Sequence, residues 1–344
     1  MIANYHRNVS LRLIRNPLFR QWSPDAQPQG FPDVIEWRFR RDDLDTLPLA
    51  REIERRQADI VPRLVPPPLT RPQLATLRIR YPSQLHFNTT QETNFFFLNT
   101  RVPPFNNLRI RQAVNKALNR GAFVRELGPG YAATCQIVPP EFPGYRHYCP
   151  PGTGSGTAVE EARRVVRSSG ATGAHVTVWV IAALAEQGRS VVALLDELGF
   201  QATLKPVAPV PNIGASYFRA IFEPQTKAQI GFYAWAADFP SETGFMPQVL
   251  SCAAFANGNA ELNDDPSEFC DPAVDRLFAR ATNAMTNNPT AATALWQRAE
   301  QMVLAQAPFI PTYNPENVAF LAPNVGDFEY NPEYGVLLGQ LWVR

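Results

Sequence analysis

Hydrophobic positions follow two periods along this chain, and the places where one gives way to the other mark its elements. VSLRLIR at 9–15 alternates and predicts a strand, which Asn16-Pro17 ends. After a polar loop with Pro24, Pro28, Gly30 and Pro32, a second strand is expected from Val34 to Phe39. Between Asp43 and Arg56, Leu44, Leu47, Leu49 and Ile53 fall at helical spacing, with Pro48 placing the start. Ala58–Val61 reads as a short strand, which makes a small β-α-β arrangement. Leu69–Leu77 then reads as a helix and Ser83–Asn88 as a strand. TNFFFLN at 93–99 is apolar on both faces, the mark of a deeply buried strand. Ile110, Ala113, Val114, Ala117 and Leu118 share one face of a helix, with Asn107 as its N-cap.

Residues 128–156 form a long Pro/Gly-rich excursion. Its GTGSG at 152–156 lacks the Lys-Ser/Thr ending of a phosphate loop and follows no strand, so it reads as a surface loop. From Val159 the pattern becomes regular: helix 159–167, strand 175–181, helix 184–198, strand 201–207, a helix near Tyr217, and a strand from Gln229 to Trp235. Helices alternating with strands predict an α/β unit. Helices 273–284 and 290–307 follow, punctuated by Asp271-Pro272 and Asn288-Pro289, then a strand from Pro308 to Tyr313. No internal repeat or coiled coil is present.

QIGFYAWAADFPSETGF (229–245) combines a buried strand with small residues and one acid, Asp238, placed just past the strand's end. In open α/β sheets ligands collect at the carboxyl ends of strands. Walled by Trp235 and Phe239, Asp238 could seat an ammonium group; on local sequence alone, a cap of the next helix or turn is the commoner role for a lone acid after a strand.

A net charge of +1 with 18% charged residues gives no pull toward nucleic acid or an anionic membrane. The four cysteines form two local pairs, Cys135 with Cys149 and Cys252 with Cys270. Each closes a loop of Pro, Gly, Asn and Asp, which favours disulfides over buried free thiols and so an oxidising compartment. Yet MIANYHRNVSLRLIRNP has no apolar core of the kind a secretory signal needs. His6, His86, His147 and His175 are not spaced as metal ligands on one helix, and no Gly-x-Ser-x-Gly elbow occurs. Asp264, Asp265, Glu268 and Asp271 lack the ligand pattern of a calcium loop and read as a solvated polar loop.

LNTRVPPFNNLRIRQAVNKALNR, then GFYAWAADFPSETGF…LSC…FCDPAVDRL, then LWQRAEQMVLAQAPFIPTYN resemble, in order and spacing, the peptide- and nickel-type solute-binding proteins of ABC transporters (family 5). The opening Tyr5…Leu13-Ile14-Arg15-Asn16-Pro17 is similar to an interior landmark of that family, so the chain looks like its carboxyl portion, with Met1 at an internal position. The resemblance implies an α/β fold of the two-lobed periplasmic binding protein type II kind, with the first lobe truncated and the second complete. Residues 1–92 would be a remnant of lobe I, 93–312 lobe II, and 313–344 a return to lobe I. The hinge crossings would lie near 87–99 and 311–315.

By the same resemblance, Asp238 of the Trp-x-x-Asp motif would pair with a peptide's α-ammonium group. Trp235 and Phe239 would wall it, and the backbone around Ala236 and Ala237 would pair with the ligand main chain. The implied ligand is a peptide or similar small solute held between the lobes, and the implied partners are ABC permease subunits. No cofactor, metal, nucleic acid or catalytic residue is implied. A monomer in the periplasm or at the cell surface is expected. Cys252–Cys270 matches a disulfide of relatives, and Cys135–Cys149 a loop found in some. The sequence departs from strict peptide binders in having FPSETGF, with no basic residue, after the motif. Two other readings stand beside this one: a truncated remnant that binds nothing, and a hydrolase on a similar scaffold.

Overall fold

Short connections decide how the first strands pair. In the computed structural model, which describes residues 1–21, 23, 30–39, 47–63, 70–142, 144–153, 158–207, 213–239, 241–255 and 263–344, β1 (Ile2–His6) and β2 (Ser10–Ile14) are joined by a tight turn. They must therefore run antiparallel, and β3 (Val34–Arg38) extends the same meander on β2. β1 has no counterpart in the sequence reading; all five of its residues are exposed, so no buried alternation announces it. Next come α1 (Leu47–Glu54), β4 (Ile60–Val61), α2 (Arg71–Arg80) and β5 (Leu85–Thr89). The expected β-α-β arrangement does not form, because β3 and β4 lie in different sheets. Residues 24–29, 43–46 and 69, on which parts of the sequence reading rest, lie outside the described residues, as do 154–156 and Pro240.

The chain forms two compact units: residues 1–90, 128–130 and 316–344 make one, and 91–127 with 131–315 make the other. The second is built on β6 (Glu92–Leu98), followed by α3 (Leu108–Ala117), α4 (Arg120–Leu127), β7 (Tyr131–Ala133), α5 (Ala158–Ser168), β8 (His175–Ile181), α6 (Ala185–Leu198) and β9 (Gln201–Val207). Then come α7 (Ile213–Phe222), β10 (Ile230–Ala236), α8 (Met246–Leu250), α9 (Pro272–Ala284), α10 (Pro289–Gln306) and β11 (Phe309–Leu321). Sheet order in this unit is β11-β6-β10-β8-β9, with β10, β8 and β9 mutually parallel and β6 antiparallel to both neighbours. Phe95 and Phe97 pack on one face with α7–α10; Phe96 and Leu98 pack on the other with α3–α6.

The helix expected to carry Leu118 ends one residue earlier, and α4 begins at Arg120. Leu118 leaves helical geometry, and the buried Arg120 guanidinium turns inward to donate to the carbonyls of Asn115, Leu118 and Pro311. β11 runs from the second unit into the first. Its early residues pair with β6 and β7, and from Glu316 onward it pairs with β5 and β4. There Val318 and Phe320 meet Ala50, Ile53, Leu74 and Leu77 of α1 and α2.

Asp265 corrects the reading of a solvated acidic loop. Its carboxylate is fully buried and accepts the Ser267 N–H, the Ser267 hydroxyl and the Phe269 N–H, while Asp271 caps α9. Glu300 on α10 is likewise buried and accepts the N–H groups of Ile137 (3.0 Å) and Val138 (2.8 Å). Burial pushes each carboxyl up to about 7, against the hydrogen bonds that favour its charged form.

A Cβ at Gly231 would lie 2.7 Å from Phe97 Cε1 and 2.9 Å from the Trp179 carbonyl oxygen. Gly231→Ala should therefore destabilise the fold by about 1–3 kcal/mol in urea titration, an overpacking cost; an unchanged midpoint would contradict the close approach. For Glu300 the folded pKa lies above the unfolded one, so its stabilisation is complete below the unfolded value and fades as pH rises through about 7. Stability should fall between about pH 5 and pH 8. Glu300→Gln, which keeps an acceptor oxygen, should remove up to about 3 kcal/mol of that fall. Urea titrations of both proteins at the two pH values measure it, and parallel curves would refute the assignment.

Candidate ligand-binding site

β10 is held unequally on its two sides. Against β6 it pairs along its whole length, from Ile230↔Leu98 to Ala236↔Glu92. Against β8 it pairs only at Ile230↔Val178 and Gly231↔Trp179. Past Gly231 no strand among the described residues covers that edge.

Alternation tells which groups the edge presents. The Gln229 carbonyl and the Ala237 N–H both bond on the β6 side, to Asn99 N and Gln91 O. Residues 232, 234 and 236 therefore turn their peptide groups the other way. The Phe232 carbonyl accepts the buried Tyr217 hydroxyl at 2.6 Å. Ala234 and Ala236 have no hydrogen-bond partner on that side among the described residues. Ala236 is exposed and Ala234 half-buried, and neither carries a side chain long enough to cover the edge.

Asp238 follows directly, exposed and with no hydrogen bond or ion pair among the described residues. The capping role that its sequence position allowed belongs to Ser241, whose hydroxyl accepts the Thr243 N–H at the turn Glu242–Gly244. Trp235 is half-buried beside Tyr233 and donates its ring N–H to the Gly244 carbonyl at 3.0 Å, which fixes the indole against the loop. Phe239 is exposed and lies over Gly244; a Cβ there would sit 3.2 Å from its ring. Ala237 is buried with its amide already engaged, so of the two alanines singled out by sequence only Ala236 faces the open edge. Ala234 was not singled out, because its availability depends on where β8 stops pairing. Glu242 is buried, and burial raises its carboxyl above the ordinary range.

Both cysteine pairs are disulfides, Cys135–Cys149 and Cys252–Cys270. A cavity of about 940 Å³ lies elsewhere, wholly within the first unit, where β3 and β4 fail to pair; Trp37, Ile60, Val61 and Trp342 line it. None of residues 235–239 belongs to it.

Residues 1–257 match the profile of the bacterial extracellular solute-binding proteins, family 5 Middle. A probable di/tripeptide-binding protein 5 of Pseudomonas aeruginosa is 26% identical over 268 residues, covering 70% of this chain and 44% of that protein. The glutathione-binding protein GsiB of Escherichia coli K12 is 25% identical over 244 residues, covering 70% and 46%. Among solved structures, clavulanic acid biosynthesis oligopeptide binding protein 2 superposes on the entire chain with a TM-score of 0.81 at 22% identity, over 62% of its own length. The α/β fold is thus that of periplasmic binding proteins, and the chain spans about half the length of the curated relatives it matches. With the family profile covering well over half of its residues, the chain belongs to the bacterial extracellular solute-binding proteins of family 5.

Proposed function

We propose that this chain serves as the solute-binding component of an ABC importer, taking short peptides with a free amino terminus. The observation that carries the reading is the open edge of β10, with Ala234 and Ala236 unpaired and the partnerless carboxylate of Asp238 just beyond. An extended peptide can add to such an edge as a strand, its main chain bonding to the alanines. Its ammonium group then meets Asp238, and Trp235 and Phe239 stand beside the charge. The named ligands of the relatives, di- and tripeptides in one and glutathione in another, are of this size and chemistry.

On this reading the second unit is lobe II and the first contains part of lobe I, the chain works outside the cytoplasm as a monomer, and a membrane permease receives the ligand. It performs no chemistry on its solute; the relatives are binding proteins too. The site is one of hydrogen-bond donors, acceptors and one charge.

A thermal-shift panel of di- and tripeptides should raise Tm with at least one member. No shift with any peptide favours the non-binding reading. For a peptide that binds, Asp238→Asn should weaken it roughly a hundredfold, the cost of leaving a covered ammonium group without its partner. N-acetylation of the peptide should cost a similar factor with the unaltered chain and little further in the variant. Calorimetry that finds equal affinities for chain and variant would refute Asp238 as the ammonium contact.

A further inference from the structure

Away from β10, one sulfur or ring-nitrogen atom from each of Cys135, His147 and Cys149 lies within 4.8 Å of the others. We propose that reduction of the Cys135–Cys149 disulfide turns these three residues into a site for a thiophilic divalent cation such as Zn²⁺. Tetrahedral zinc, with Zn–S near 2.3 Å and Zn–N near 2.0 Å, sets a sulfur and a nitrogen ligand about 3.6 Å apart. His147 Nε2 already stands 3.7 Å from Cys149 Sγ. Two thiolates on one such metal are about 3.8 Å apart. Cysteines whose Cα atoms are 5.4 Å apart reach that spacing by side-chain rotation.

The loop does not depend on the covalent bond to keep its sulfurs together. Gln136, next to Cys135, is fully buried and its Oε1 accepts the N–H of Tyr148, next to Cys149, at 2.8 Å. The same oxygen accepts the Tyr145 hydroxyl, and Gln136 Nε2 donates to the Arg146 carbonyl. Glu300 anchors the Cys135 arm through the N–H groups of Ile137 and Val138. Both cysteines are thus pinned by their sequence neighbours. His147 Nδ1 lies 3.4 Å from the Tyr145 hydroxyl, a second contact that orients the ring. Since His147 is exposed, water can complete the coordination.

The chemistry balances with a thiol reductant. Two reductant thiols give two electrons and two protons to the disulfide; the S–S bond breaks, Cys135 and Cys149 become thiols, and the reductant becomes a disulfide. Zn²⁺ then displaces both thiol protons into solvent. The oxidised loop offers His147 alone, so metal binding is gated by redox state. Cys252 and Cys270 join no comparable three-residue group among the described residues.

The test uses the whole chain, reduced with a phosphine and titrated with Co²⁺, then Zn²⁺. The reduced chain should show the visible bands of tetrahedral, thiolate-bound Co²⁺, bleached by Zn²⁺, and the oxidised chain should not. His147→Ala should weaken Zn²⁺ by at least about tenfold, and the double change Cys252→Ser, Cys270→Ser should leave it unaltered. Should reduction loosen the fold, Zn²⁺ must raise the Tm of the reduced chain and not of the oxidised one. Free thiols with no Co²⁺ bands, a reduced-state Tm indifferent to Zn²⁺, or His147→Ala binding as tightly as the unaltered chain would each overturn the site.

Discussion

The second unit depends on β6 being paired on both sides and packed on both faces. Its seven-residue ladder to β10 is continuous, and β11 takes its other edge. Phe95 stacks on Phe309 at 4.0 Å on one face, while Phe96 meets Phe123 and Phe232 edge-on on the other. Fully burying each of these rings contributes roughly 1.5–3 kcal/mol, so a strand that lost either layer would lose most of what orders it. This constraint also shapes the candidate site. β10 stays paired along β6 as far as Ala236, well past the point where β8 has parted from it. An edge that is both open and well supported is what a strand-adding ligand requires.

How much of this could be read from sequence varies by element, for physical reasons. TNFFFLN announces β6 because a strand apolar on both faces must be covered on both. β8, α6 and β9 follow their periodicity, and Asn107, Asp271 and Asn288 cap the helices that begin beside them. β11 was read only as far as Tyr313, because two prolines interrupt FIPTYNPENVAFL. In the fold Pro311 uses its carbonyl, which accepts from Arg120, and Pro315 stands opposite the short β7, so neither break in the donor row ends the strand. β7 itself is three residues in a Pro/Gly-rich stretch and exists because β11 offers an edge. No local pattern encodes that.

The same divide separates the parts of the site. Trp235 and Asp238 are visible as residues of suitable chemistry at the end of a strand, yet local sequence alone favours a cap for Asp238, and only the family resemblance turns it toward a ligand. Only the fold assigns the cap to Ser241 and leaves the carboxylate without a partner among the described residues. Buried acids were misread for a related cause. Asp265 sits in a run of acids and Asn that looks solvated, but its own following N–H groups fold back onto it, and a carboxylate so supplied can enter the interior.

Tyr217 bears on the length of ligand the edge can take. Its hydroxyl occupies the Phe232 carbonyl and also reaches the Trp179 carbonyl at 3.1 Å, closing the fork where β10 and β8 diverge. The hydroxyl is buried, and burial raises its pKa, so it remains a neutral donor and this closure does not open with pH. Outward peptide groups are then left at Ala234 and Ala236 alone before the chain turns at Asp238. Because each outward residue of a strand bonds to a neighbour through both N–H and C=O, that length matches about two or three residues of an added strand. A longer peptide would have to leave the sheet after those contacts. The tyrosine at the fork and the acid at the turn thus set the two ends of the edge that the proposed ligand reads.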